Sequence, residues 1–360
     1  MGNIASEEIR HSREIDSIIK KDKKNFEQTI STILLGAQNA GKSTFMKQIK
    51  LFSDHQLTDE EIKELKWTMY ENVLSSVQPI ADAVLKNKQL VDKIGSNMAL
   101  TIEAISIQTM ENLSQLDQDK LSRFGEIVQL FLNDKFIKEF YSTTSLVLPD
   151  YAVYMVSRMP MLIFQKSFVP TINDWVNVRK PTSGVQEFTL NTADMKLKVI
   201  DVGGQKSERK KWIHHFDKVF IITFISAIST YDQEVSEEDE LPRNAIKRDL
   251  EILKEVLDNP FLKRKPLILF LNKSDIFKLK IQVVPLEKHF PEYQGKTLDY
   301  SDGIKFVKKL FLDLVSKIDA ELDVFPHITH ATDVKQTKNV IQSTITAIRN
   351  INLQANGLIT

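Results

Sequence analysis

The sequence predicts an α/β fold, a mostly parallel sheet covered by helices and interrupted by an all-helical insertion. Three observations predict it. Aliphatic and β-branched runs such as 29-TISTILLG-36, 219-VFIITFISA-227 and 266-PLILFLN-272 alternate with helical stretches, which is the pattern of buried parallel strands with helices on both faces. The glycine loop 36-GAQNAGKST-44 lies between the first of these runs and a helical one. Residues 57–168 break the alternation: apolar residues recur every three or four positions, glycine occurs only at Gly95 and Gly125, and no period-2 strand stands out.

In chain order, residues 1–28 form a charged leader with Ile9, Ile15, Ile18, Ile19 and Phe26 on one narrow stripe, a helix suited to docking on a partner. Residues 29–36 are the first strand and 42–52 a helix. Ile62, Leu65, Met69, Val73, Val77, Ile80 and Val84 mark a long amphipathic helix, with a kink or break expected near Gln78 because Pro79 follows. Strands return at 185–190 and 195–201, then 219–227, 266–272 and 324–329. Helices fall around 243–257, 302–317 and 332–353, the last with Val334, Ile341, Ile345 and Ile348 inward. The division is thus an N-terminal helix (1–28), a discontinuous α/β domain (29–56 and 172–360) and an all-helical domain (57–171).

With 360 residues, the chain has room for two domains or one core with a large insertion. A hydrophobic content of 42% and a charged content of 27% are those of a globular protein. The net charge of +0 argues against nucleic-acid binding by bulk electrostatics. The absence of cysteine excludes disulfides, thiolate zinc sites and cysteine nucleophiles, and fits a reducing compartment. No apolar run approaches the roughly 18 residues of a membrane span. The start, MGNIAS, matches the N-myristoylation pattern at Gly2.

Three motifs carry chemistry. Gly36, Gly41, Lys42 and Ser43 fit G-x-x-x-x-G-K-[ST], in which backbone N–H groups wrap phosphates, the lysine neutralises them and the hydroxyl ligates Mg2+. That pattern does not separate ATP from GTP. The string 270-FLNKSD-275 does: at the end of a buried strand, Asp275 accepts from the N1–H and exocyclic amine of guanine, donors that adenine lacks. Asn272 would face the N7/O6 side and the Lys273 stem would cover the ring. In 201-DVGGQKSERKKW-212, Asp201 would hold Mg2+ through water, Gly204 would offer its N–H to the γ-phosphate, and Gln205 would orient the attacking water.

With these strings in order around a helical insertion, the chain resembles the alpha subunits of heterotrimeric G proteins over nearly its whole length. The resemblance implies a Ras-like P-loop NTPase domain interrupted by the helical domain. In 178-VRKPTSG-184, Arg179 resembles the built-in arginine finger, and Thr182 the second hydroxyl ligand of Mg2+. Ala331 in 329-THAT-332 resembles the residue whose N–H reads guanine O6. Nucleotide contacts are also implied at Asn39, Ala40, Thr44, Asp150 and Val178. Further implications are GDP/GTP exchange and a beta–gamma dimer met through Ile15, Ile19, Lys211, Trp212 and Phe216, with Trp212 and Phe216 as exposed anchors. A seven-helix receptor or other exchange factor, an effector, a GTPase-activating protein and residence at the cytoplasmic face of the plasma membrane follow as well.

Several residues depart from the family. Gln38, Asn39 and Ala40 replace glycine, glutamate and serine, and the Gln38 side chain would crowd Gln205 and Arg179. Ile246 replaces an acidic residue expected to pair with Arg209, and His330 replaces a cysteine. The main reading is a slow GTPase switch. One alternative is a GTP-binding scaffold whose turnover Gln38 has disabled; another, a P-loop ATPase or kinase, is opposed by Asp275.

Overall fold

A computed structural model describes residues 29–53, 56–143, 148–182, 184–191, 196–236, 241–330 and 334–355. The leader helix expected over 1–28, with Gly2, Ile15 and Ile19, lies outside the described residues, as does Ala331. The chain divides into two compact units, one comprising Met1–His55 and Thr182–Thr360, the other Gln56–Pro181.

In the first unit the strands are β1 (Thr29–Leu35), β2 (Val185–Asn191), β3 (Lys196–Val202), β4 (Ile221–Ala227), β5 (Glu234–Val235), β6 (Arg243–Asn244), β7 (Leu267–Asn272) and β8 (Val324–Ile328). Six of them form one sheet in the order β2-β3-β1-β4-β7-β8, while β5 and β6 make a separate ribbon. Only β2 runs antiparallel to its neighbour within the six. The sheet is apolar on both sides. Ile33, Leu35, Phe224 and Leu269 point into one core. Their alternates Leu34, Ile225, Ile268 and Phe270 point into another, closed by Ile341, Ile345 and Ile348 from the helix Val334–Ala355.

The register aligns the ends of these strands. Leu34 pairs with Asp201, Leu35 with Phe224, and Ala227 with Asn272. The glycine loop, Asp201 and the N-K-x-D string therefore all emerge from the same carboxyl edge, where ligands of open parallel sheets bind.

The second unit is helical throughout its described part. Its long helix, Asp59–Lys86, opens with a capping box in which Thr58 and Glu61 satisfy each other's backbone N–H groups. Of the kink or break expected near Gln78, the break is not found: the helix runs through Pro79. Val77, Ile80, Ala81 and Val84 are all buried around the proline. Burial of the larger of these, at about 1.5–3 kcal/mol each, outweighs a cost of about 3 kcal/mol for an interior proline. Gly125 is a packing requirement: a Cβ there would come within 2.7 Å of the Phe164 side chain. That ring stacks on Tyr70 with centroids 4.3 Å apart.

The boundary after the insertion also differs from the sequence reading. Residues 172–181 belong to the helical unit, not to the α/β domain. The helix Ile172–Asn177 brings Trp175, and Val178 follows it, onto the helical core. Its buried Asp174 is paired with Arg158 at 2.7 Å and held by the Thr171 and Tyr154 hydroxyls. These ties anchor the segment to the residues before it.

No helix of the described residues is long and apolar enough to cross a membrane.

Candidate functional site

The glycine loop is shaped by its neighbours. Gly36 has φ +138°, and a Cβ there would lie 2.1 Å from the Ile225 carbonyl oxygen on β4. Gly41 has φ +106°, and its Cβ would lie 2.2 Å from the Asn272 amide nitrogen. Both positions therefore exclude a side chain by conformation and by space. Asn39 takes the left-handed conformation at φ 66°, one that asparagine tolerates better than most residues. No side chain caps the Lys42–Phe52 helix that follows, which leaves its N-terminus suited to an anion.

Lys42 is buried and folds back on the loop, donating to the Gly36 and Ala37 carbonyls at 2.9 and 2.8 Å. Burial lowers its pKa to about 8, opposed by the charges of Asp201 and Asp249. Gly204 approaches so closely that a Cβ would meet Lys42 Nζ at 2.3 Å and the Ala37 carbonyl at 2.7 Å. The second glycine of D-V-G-G-Q is thus a contact with the phosphate loop as well as a source of freedom.

Beside the lysine lie the oxygens that fit a cation. The Ser43 and Thr182 hydroxyls are 2.5 Å apart. Asp201, at the end of β3, is fully buried; neither carboxylate oxygen meets the full geometry of a hydrogen bond, although the Ser43 hydroxyl lies close enough to act on its charge. Burial raises its pKa, against the pull of the Ser43 hydroxyl and of Lys42, Lys50 and Lys47. A buried carboxylate next to two converging hydroxyls is a set of hard oxygen donors of the kind Mg2+ takes. Thr44 lies in the first turn of the Lys42–Phe52 helix and is half-buried.

Gln205 is exposed and stands at the start of the short helix Lys206–Arg209. Arg209, for which Ile246 suggested a missing partner, donates to the Gly204 carbonyl at 3.3 Å. Ile246 itself is core, wholly buried. The carboxylate nearest in sequence is Asp249, one turn further along the Ala245–Leu257 helix. It is buried, accepts from the Ser226 hydroxyl, and is influenced by the charges of Lys42, Arg209 and Lys273.

The expected exposed anchors Trp212 and Phe216 are each only 4% exposed. The Trp212 indole donates to the Gly203 carbonyl at 2.8 Å, and both rings pack into the core. Of the described residues assigned to that contact, only Lys211 is at the surface, paired with Glu208.

At the end of β7, Asn272 does not face outward. It is 2% exposed, donates to the Ala40 carbonyl at 2.9 Å and accepts from the Thr329 hydroxyl at 3.2 Å. Asn272 thus braces three loops. Lys273 is left-handed at φ 61°, and Asp275 lies in the first turn of the helix Ser274–Lys280. His330 Nε2 is 3.2 Å from Asp275 Oδ2.

Arg179, Val178 and Asp150 belong to the helical unit. Val178 is buried in its core, and Asp150 is exposed. The Arg179 backbone is clamped by one side chain: Asn72 Oδ1 accepts its N–H at 2.7 Å, and Asn72 Nδ2 donates to its carbonyl at 2.8 Å. Asn72, Thr329 and Asp249 were not singled out from sequence. Each is a buried polar residue on an apolar helix face or at a strand end, and that polarity was the available signal.

The description of the G-protein alpha subunit family matches residues 9–348 of the chain. The chain belongs to the G-protein alpha subunit family. A curated relative, the guanine nucleotide-binding protein alpha-9 subunit of Dictyostelium discoideum, is 33% identical over 353 residues, spanning 95% of this chain and 98% of the relative. The fold and order of motifs described above are those of a family member, and the chain is a guanine-nucleotide-binding signalling protein. Members of the G-protein alpha subunit family are GTPases in general.

Proposed function

We propose that this chain binds GDP and GTP with Mg2+ and slowly hydrolyses GTP to GDP and phosphate. The observation that carries the reading is the cluster of buried Lys42, the Ser43–Thr182 hydroxyl pair and the buried Asp201 carboxylate at one edge of the sheet. Ser43 and Thr182 would hold Mg2+ directly and Asp201 through water; the ion supplies charge neutralisation on the transferred phosphoryl group. The loop N–H groups and Lys42 bind the β- and γ-phosphates. Asp275 selects guanine, because an adenine would leave its carboxylate without donors.

In hydrolysis, the Gln205 amide orients a water for in-line attack on the γ-phosphorus. The bond to the β–γ bridging oxygen breaks, and its electron pair stays on GDP. Arg179 stabilises the charge gathering in the transition state. The switch cycles between a beta–gamma-bound GDP form and an effector-bound GTP form. A seven-helix receptor or other exchange factor drives it one way, and a GTPase-activating protein the other. A myristoyl group on Gly2 contributes to residence at the cytoplasmic face of the plasma membrane, and because one acyl chain anchors only marginally, the beta–gamma dimer provides the second contact.

Single-turnover phosphate release from GTP tests the reading. Wild type is expected to release phosphate, with the rate lowered at least tenfold in Gln205→Leu. Equal rates would leave a GTP-binding scaffold instead. Asp275→Asn is expected to weaken GTP and admit xanthosine triphosphate; unchanged GTP affinity would sink the base assignment.

A further inference from the structure

The base-reading carboxylate has a neighbour whose position is fixed by the sheet. Strand β8 pairs with β7 up to Ile328 opposite Leu271. Beyond it, the Thr329 N–H donates to the Leu271 carbonyl at 2.9 Å, and the Ser274 N–H donates to the Thr329 carbonyl at 3.1 Å. The buried Thr329 hydroxyl adds its bond to Asn272. Thr329 and Ser274 are therefore locked together, and the residue after each projects from a common frame. Those residues are His330 and Asp275, with Nε2 and Oδ2 3.2 Å apart and side chains 31% and 38% exposed.

The chemistry of that contact is specific. A carboxylate turns about its Cβ–Cγ bond, yet reading the N1–H and the exocyclic amine together needs the plane held edge-on to the base. With its proton on Nε2, the imidazole would donate to Oδ2 across those 3.2 Å and fix that plane. Each carboxylate oxygen has two acceptor sites, so Oδ2 keeps one for the base and Oδ1 keeps both. Orienting the group before binding removes an ordering cost from association.

We propose that His330 is a positioning residue that sets the purine specificity of the site, holding Asp275 so that both N–H groups of guanine are read at once. The inference rests on the reading of Asp275 given under Proposed function. It deepens that reading by assigning discrimination against purines without an exocyclic amine to a residue outside the N-K-x-D string.

The test compares dissociation constants for GDP and inosine diphosphate, which lacks the amine, on the full-length chain. Wild type is expected to prefer GDP. In His330→Ala, GDP binding weakens roughly tenfold and inosine diphosphate binding by less than about threefold, so the preference shrinks. In His330→Gln, which keeps an N–H donor, most of the preference returns. Because the ratio is taken within one preparation, partial misfolding does not alter it. An unchanged ratio in His330→Ala, whether both affinities hold or both fall together, overturns the proposal. Asp275→Asn reports separately: GDP affinity unaffected by that change defeats the base assignment itself, whatever His330 does.

Discussion

Gln38 and Asn72 are two single side chains through which the proposed hydrolysis can be tested. Gln38 is exposed at the tip of the glycine loop, where a smaller residue would leave more room beside a γ-phosphate. An ångström of displacement in a catalytic group costs about 100-fold in rate. Gln38→Gly is therefore expected to accelerate single-turnover GTP hydrolysis; an unchanged rate would show that the loop accommodates the longer side chain. Asn72 acts from within the helical unit by gripping both backbone groups of Arg179. Asn72→Ala removes both bonds and frees the arginine's backbone. Hydrolysis should slow at least about tenfold while GDP affinity stays close to wild type; a rate equal to wild type would mean the clamp serves folding alone.

Among the elements, the Asp59–Lys86 helix shows tertiary packing overriding local preference. Pro79 removes one backbone donor from the helix interior, yet the buried stripe around it keeps the helix whole. Pro79→Ala restores the donor and is expected to stabilise the protein by about 1–3 kcal/mol, read as a higher urea midpoint. A lower midpoint would show that the ring's own packing matters more than the lost bond. The Ala245–Leu257 helix carries the opposite feature, a buried Asp249 on an apolar face. Burial raises its pKa from 3.8 to about 6, only partly offset by the Ser226 hydroxyl and by Lys42, Arg209 and Lys273. The folded state then holds the proton more tightly than the unfolded chain. Its favourable contribution is complete below pH 3.8 and is lost as pH rises through about 6. Two units correspond to roughly 3 kcal/mol. Asp249→Asn should remove this pH dependence and raise stability near pH 7, measured by urea unfolding at pH 5 and 7.5. Parallel pH profiles for wild type and variant would refute the assignment.

For the whole molecule, the sheet brings distant segments to one edge. Ser43 and Thr182 are 139 positions apart in sequence, and Asn272 and Ala40 are 232 apart, yet each pair is in hydrogen-bond contact. Much of this was legible beforehand. Strands β1, β3, β4 and β7 follow from β-branched runs, and the motifs at their ends follow from local strings whose chemistry is local too. Gly36, Lys42, Ser43 and Asp201 could be named as candidates from the sequence because each belongs to a short string at the end of a strand. The supporting residues could not be named. Asn72, Thr329 and Asp249 act on partners contributed by other elements, as does His330, which the sequence marked only as a departure from the family, and no spacing within one segment reports such a pairing. The same holds for Trp212: an indole in a charged segment reads as an exposed anchor, while the packed core around its ring and the Gly203 carbonyl hold it inward.

The sequence by itself determined the α/β class, the helical insertion and the family, since periodicity and short motifs are properties of contiguous residues. Tertiary structure alone decided that the insertion extends to Pro181, that the long helix passes through Pro79, and that Asn272 braces the loops at the end of β7. Those outcomes depend on burial and on hydrogen bonds between residues far apart in the chain, which exist only once the sheet and its helices have packed.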